Sequence, residues 1–145
     1  MSDNIFIDTN LWVYLYADDS DKEKAHIIRN LVDEYFEDIV ISTQVLGEFF
    51  HVLTRKGLKG KEEARQMTLD LLGNFTSVEV LQTSAVKAMD ISIREGYAYW
   101  DSLIVASALD SNCSKLFSED MQDGQIIEGR LKIENPLKDI KNNIL

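Results

Sequence analysis

The sequence predicts an α/β protein, a central and mainly parallel sheet of four to five strands flanked by helices, and three observations carry that expectation. Short runs of β-branched and aromatic residues recur at 5–7, 39–41, 78–81 and 115–118, each too brief for a helix and lacking strict alternation, as strands buried on both faces do. Between them lie segments of helical length whose apolar residues return every three or four positions, and strands separated by helices pair in parallel through right-handed crossovers. Finally, 145 residues with 45% hydrophobic content are enough for one sizeable core and short for two, so residues 1–145 are expected to form a single domain.

Taken in order, the first apolar run, Ile5-Phe6-Ile7, stops abruptly at Asp8, which therefore sits at a strand's carboxyl end. Residues 11–17 mix aromatic and aliphatic side chains, and Asp19 or Ser20 is expected to cap the helix that follows. From 22 to 36 the residues Ala25, Ile28, Leu31, Val32 and Phe36 share one face, which marks a crossover helix. Residues 38–42 repeat the strand pattern around Ile39-Val40-Ile41, with Thr43 as the cap of a helix that carries Val45, Leu46, Phe49, Phe50 and Leu53 until Gly57 ends it. The basic, glycine-punctuated segment 55–61 leads into helical residues 61–72. A strand is expected at 78–81 and an amphipathic helix at 84–95 through Val86, Met89, Ile91 and Ile93, broken by Gly96. The helix beginning at Asp101 is apolar nearly all round and belongs deep inside. A fourth strand, 115–118, runs into the acidic turn 119–124; one or two further strands follow around Ile126-Ile127 and Ile133, and 136–145 read as a peripheral helix or tail.

Composition narrows the function classes. The single cysteine, Cys113, excludes an internal disulfide and a thiolate metal cluster and fits a reducing compartment. No apolar stretch approaches the ~20 residues that span a bilayer, and Met1-Ser2-Asp3-Asn4 lacks the pattern of a signal peptide, so a cytoplasmic protein without membrane association is expected. A net charge of −10 argues against passive adhesion to nucleic acid, which relies on Lys and Arg. Acids gathered in one cleft can nevertheless bind divalent cations that reverse the local field.

Three acids share a placement: Asp8 ends a strand, Asp101 opens a helix and Asp120 lies just beyond another strand. In a parallel sheet those ends face the edge where ligands bind. Glu48 stands among the apolar residues of its helix, where an unpaired charge is costly to bury. Each acid taken singly also suits a cap or a turn. Capping does not account for Glu48, and a turn does not require a strand before each acid.

These segments, Phe6-Ile7-Asp8-Thr9-Asn10, Gln44 through Phe49 around Glu48, Tyr99 through Ile104 around Asp101, and Ser118-Glu119-Asp120, resemble the ordered signatures of PIN-domain ribonucleases across most of the chain. In size and segment order the chain is most similar to the VapC-type toxins of toxin–antitoxin pairs. The resemblance implies a PIN-like domain acting as a metal-dependent endoribonuclease and working as a homodimer. It also implies a small antitoxin with a DNA-binding segment that occupies the active-site groove. Asp8, Glu48, Asp101 and Asp120 would be the catalytic quartet and the ligands of one or two Mg²⁺ or Mn²⁺ ions, with Asn10 and Ser118 binding substrate or orienting ligands. Asp123 has no counterpart in the pattern and reads as a turn residue, while Trp100 is bulkier than the pattern has before its acid.

His26 and His51 read as ordinary helix residues, and Arg55, Lys56, Lys59 and Lys61 as either a solvated basic loop or a grip on the RNA backbone. The aromatics Trp12, Tyr14, Tyr16, Tyr97, Tyr99 and Trp100 suit core or dimer packing, with stacking on unpaired bases as the alternative. Two rivals remain. A haloacid-dehalogenase-type phosphatase would need a second Asp where Asn10 stands, and a non-catalytic PIN-like module would bind RNA or protein without cutting.

Overall fold

The computed structural model describes residues 3–17 and 20–140. Its centre is a sheet in the order β3-β2-β1-β4-β6-β5, formed by β1 (Ile5–Ile7), β2 (Ile39–Ser42), β3 (Thr76–Val78), β4 (Lys115–Phe117), β5 (Ile126–Ile127) and β6 (Leu131–Glu134). All neighbours pair in parallel except β5 with β6. The expected four to five strands are thus the five parallel ones, and the two-residue β5 adds an antiparallel sixth at the edge. Every residue of β1 and β2 is buried, which is why these strands are unbroken apolar runs.

The helices among the described residues are α1 (Thr9–Tyr16), α2 (Lys22–Tyr35), α3 (Thr43–Arg55), α4 (Lys61–Asn74), α5 (Gln82–Glu95) and α6 (Tyr99–Asp110), with a 3-10 turn at Phe36–Asp38. α1 starts directly after β1. Leu11, Trp12, Val13 and Leu15 are all buried along it, and Trp12 packs its ring on Phe75 at 5.1 Å while its indole N–H donates to the Ile7 carbonyl. α6 is buried continuously from Ser102 to Leu109, as its all-round apolar sequence predicts.

Several boundaries differ from the sequence expectation. α2 is capped by Asp21, whose carboxylate accepts from the Lys24 N–H; Ser20 is not the cap, and Asp19 lies outside the described residues. Ser42 rather than Thr43 caps α3, accepting from the Val45 N–H, while the Thr43 hydroxyl accepts from the Val80 N–H. β3 begins at Thr76 instead of residue 78, because Thr76, Ser77 and Val78 are in register with Val40, Ile41 and Ser42. On α5 the buried side is Ser84, Ala88 and Ile91, whereas Val86, Met89 and Ile93 point outward. Residues 136–139 form turns, and 141–145 of the expected terminal helix or tail lie outside the described residues.

Strand order positions the site. β1 connects to β2 on one side and lies against β4 on the other, so the chain direction of the crossovers reverses between β1 and β4. The carboxyl ends at such a reversal leave a crevice. Asp8 ends β1 there, and Ser118 ends β4 beside it.

Candidate active site

Backbone register brings the first pair together. Ile7 is opposite Phe117, the Asp8 N–H donates to the Phe117 carbonyl, and the next residues, Asp8 and Ser118, therefore meet. The Ser118 hydroxyl donates to Asp8 Oδ2 at 2.8 Å, and the Thr9 N–H donates to Oδ1 at 2.8 Å. Asp8 is only 7% exposed, and Ser118 is fully buried. Burial pushes the Asp8 carboxyl up from 3.8 to about 7; the Ser118 and Thr9 hydrogen bonds pull it down, and the charges of Asp101 and Asp120 push it further up.

α3 brings in Glu48. The buried face of this helix is Val45, Phe49 and Leu53, and Glu48 stands beside that face on a half-buried polar stripe, not within it. The Thr9 hydroxyl donates to Glu48 Oε1 at 2.8 Å, joining the start of α1 to α3. α6 contributes Asp101 from its first turn. Its carboxyl is raised, first by partial burial and then by the charges of Asp120 and Glu48. Asp120 is exposed in the turn after β4, where Asn10 Nδ2 donates to its Oδ2 at 3.1 Å and its own N–H donates to the Ser118 hydroxyl. Tyr14 of α1 donates to Glu119, tying the same turn to α1.

Asp8, Glu48, Asp101 and Asp120 thus line one cleft of about 330 Å³, together with Thr9, Asn10, Gly47, His51 and Val52. Among the described residues no Lys or Arg lines it, and none of the ion pairs involves these four acids. Burial first, and then like charges facing one another without a counterion, explain why Asp8 and Asp101 hold their protons more tightly than free carboxyls. The donor set is entirely oxygen, the chemistry that hard divalent cations take. Among the described residues, however, no three of the acids, histidines or cysteines stand close enough to form a ready cage for an ion. Their oxygens are instead engaged by Ser118, Thr9 and Asn10. The fit is therefore to an ion held by one or two carboxylates that keeps much of its water, as Mg²⁺ commonly does.

Asn10 and Ser118 were expected beside substrate, and both contact carboxylates of the quartet. Asp123 stands apart. It accepts from the Asn135 N–H and pairs with Lys138, which lowers its carboxyl and fixes it as a turn residue. Trp100 is 63% exposed, its ring against Tyr99 at 4.9 Å, and its carbonyl accepts from Gln44 Nε2. Sequence reasoning gave no role to Thr9 and Gly47 and read His51, one turn beyond Glu48, as an ordinary helix residue, whereas all three line the cleft. A larger cavity, about 460 Å³, is lined by Tyr16, Met67, Asp70 and Asn74 and gathers no second acid.

The fold and cleft define a class: a parallel α/β domain with acids converging at the carboxyl edge of its sheet. The sequence matches the family model described as PIN domain over residues 5–122, and the chain belongs to the PIN-domain family. That membership sets aside the phosphatase reading. No curated protein sequence matches significantly. Among solved structures, the fold is similar to Mycobacterium tuberculosis VapC20, a Sarcin-Ricin loop cleaving toxin (TM-score 0.67, 19% identity, covering 81% of this chain and 92% of that one). It is similar also to a chain of a toxin–antitoxin complex from Klebsiella pneumoniae (TM-score 0.68, 16% identity, 92% and 98% covered). A third is VapBC2 from Rickettsia felis bound to a DNA fragment from their promoter (TM-score 0.62, 21% identity, 90% and 97% covered). Among the described residues no helix is long and apolar enough to cross a membrane.

Proposed function

We propose that this protein is a divalent-metal-dependent endoribonuclease and the toxin of a toxin–antitoxin pair. The observation that carries the reading is the convergence of Asp8, Glu48, Asp101 and Asp120 on one cleft that no Lys or Arg lines among the described residues. When bound, Mg²⁺ or Mn²⁺ supplies an activated water, orients the scissile phosphate and offsets charge on the leaving oxygen. The chain's own part is to hold the oxygens in place before substrate arrives. Asp8 is locked by Ser118 and the Thr9 N–H, Glu48 by the Thr9 hydroxyl, and Asp120 by Asn10. Asp101 accepts no hydrogen bond among the described residues and faces Asp120 and Glu48, which leaves its oxygens available to a ligand. Attack by water at phosphorus, with the P–O3′ bond breaking and the 3′-oxygen leaving as the protonated hydroxyl, gives 5′-phosphate and 3′-hydroxyl ends.

The partners follow the same reading. RNA is the substrate, and a small antitoxin with a DNA-binding segment restrains the enzyme, in keeping with the toxin–antitoxin complexes of the same fold. A homodimer is supported by Val86, Met89 and Ile93, an outward apolar stripe on α5 with Ile93 85% exposed. The experiment is cleavage of labelled RNA by purified protein with Mg²⁺ or Mn²⁺ and with EDTA, with end analysis of the products. Activity that requires the ion and is lost in Asp101→Asn supports the reading; activity that survives both treatments overturns it. The second reading is a module that binds RNA or protein without cutting. Binding without metal-dependent cleavage would select it.

A further inference from the structure

α3 carries more than Glu48. Gln44, Glu48, His51 and Arg55 follow at spacings of four, three and four, which puts them within an arc of about 60° along one side of the helix. Gln44 donates to the Trp100 carbonyl at one end of this stripe; Glu48 and His51 line the cleft, and Arg55 lies beyond it in the last turn. His51 and Arg55 are exposed, and among the described residues neither the imidazole nor the guanidinium has a hydrogen bond or ion pair. The neighbouring Lys59, by contrast, is paired with Glu63.

His51 stands about 4.5 Å and Arg55 about 10 Å beyond Glu48 along the helix axis. His51 is a donor within a cleft whose other titratable lining groups are carboxylates, which repel a phosphate chain, and Arg55 is a donor just beyond it. Resting on the ribonuclease reading above, we propose that the polar stripe of α3 is the track of the RNA backbone. His51 and Arg55 contact the phosphates on one side of the bond that is cut. A neutral imidazole offers one N–H and the guanidinium a fork of donors, so the first can orient a single phosphate oxygen and the second can grip a phosphate in two-point fashion.

The test uses full-length protein carrying Asp101→Asn, which keeps the RNA whole, with Mg²⁺ present and a short fluorescein-labelled single-stranded RNA of mixed sequence as probe. Adding His51→Ala or Arg55→Ala weakens binding about tenfold each, the loss expected for a hydrogen bond involving a charged partner. Arg55→Ala also lowers the slope of log affinity against log salt by about 0.7, the share of one phosphate on a single strand. Lys87→Ala, whose ammonium pairs with Asp110 away from the cleft, changes neither. In the parent enzyme His51→Ala raises KM more than it lowers kcat. If the parent cleaves RNA with its metal, yet both double variants bind RNA as Asp101→Asn does with an unchanged salt slope, the track is wrong and the nuclease stands. If the parent neither binds nor cleaves RNA, both fall.

Discussion

Replacing Asp8 by Asn should stabilise the metal-free protein, because the native carboxylate is buried against like charges. In the fold its carboxyl titrates at about 7 instead of 3.8. Between those values the unfolded chain has released the proton while the native protein keeps it, so native stability falls by about 1.4 kcal/mol per pH unit as pH rises. Below about pH 4 both states are protonated and the effect vanishes; above about pH 7 it is complete, at about 4 kcal/mol. An Asn amide is nearly isosteric. Its oxygen can accept from the Thr9 N–H and its nitrogen can donate to the Ser118 hydroxyl, which already accepts from the Asp120 N–H. Urea unfolding in EDTA at about pH 4 and about pH 8 measures the difference. The gap between Asp8→Asn and the parent should be small at the lower pH and open to about 4 kcal/mol at the higher, on the order of 10 °C in melting temperature. A variant less stable than the parent at high pH, or a gap that does not change with pH, would refute the burial argument.

Three further outcomes follow from the same geometry. Ser118→Ala removes a hydrogen bond that lowers the Asp8 carboxyl, so in EDTA the fall of native stability with rising pH should continue to higher pH than in the parent, as urea unfolding across that range would show. Gly47 lines the cleft within α3, and an added Cβ there meets nothing within 4 Å. Gly47→Leu should therefore raise helix stability by about 1 kcal/mol in thermal unfolding while blocking RNA cleavage. Ile93→Asp places a charge in the exposed stripe of α5 and should convert a homodimer to monomer in light scattering without lowering the monomer's helix content.

The sheet was legible because its inner strands are buried on both faces and their sequences leave little choice but β-branched residues. α1 was not legible. Thr9 to Tyr16 is buried on most sides, so its apolar residues show no stripe that distinguishes a helix from a strand. β3 is an edge strand with half-exposed residues, and register with β2 rather than hydrophobicity sets where it begins. The α5 stripe was misread for the complementary reason, since apolar side chains at helical spacing do not say which side faces the core.

Strand ends pointed to Asp8 and Asp120, and helix starts to Asp101, so the gathering of the acids could be anticipated from chain order. What holds them could not. The Ser118–Asp8 bond depends on β1–β4 register, and the Thr9–Glu48 bond on how α1 crosses α3. Glu48 read as a charge within an apolar face, whereas the helix turns it to an adjoining polar stripe together with His51.

The most direct measurement is titration of Mn²⁺ into the metal-free protein, followed by electron paramagnetic resonance. The carboxylate cleft predicts saturable binding that Asp8→Asn and Asp101→Asn each weaken severely, while Lys87→Ala leaves it intact. Uptake of Mn²⁺ with the same affinity in both Asp variants as in the parent would mean that the ion sits elsewhere, and the role given to these four acids would be contradicted.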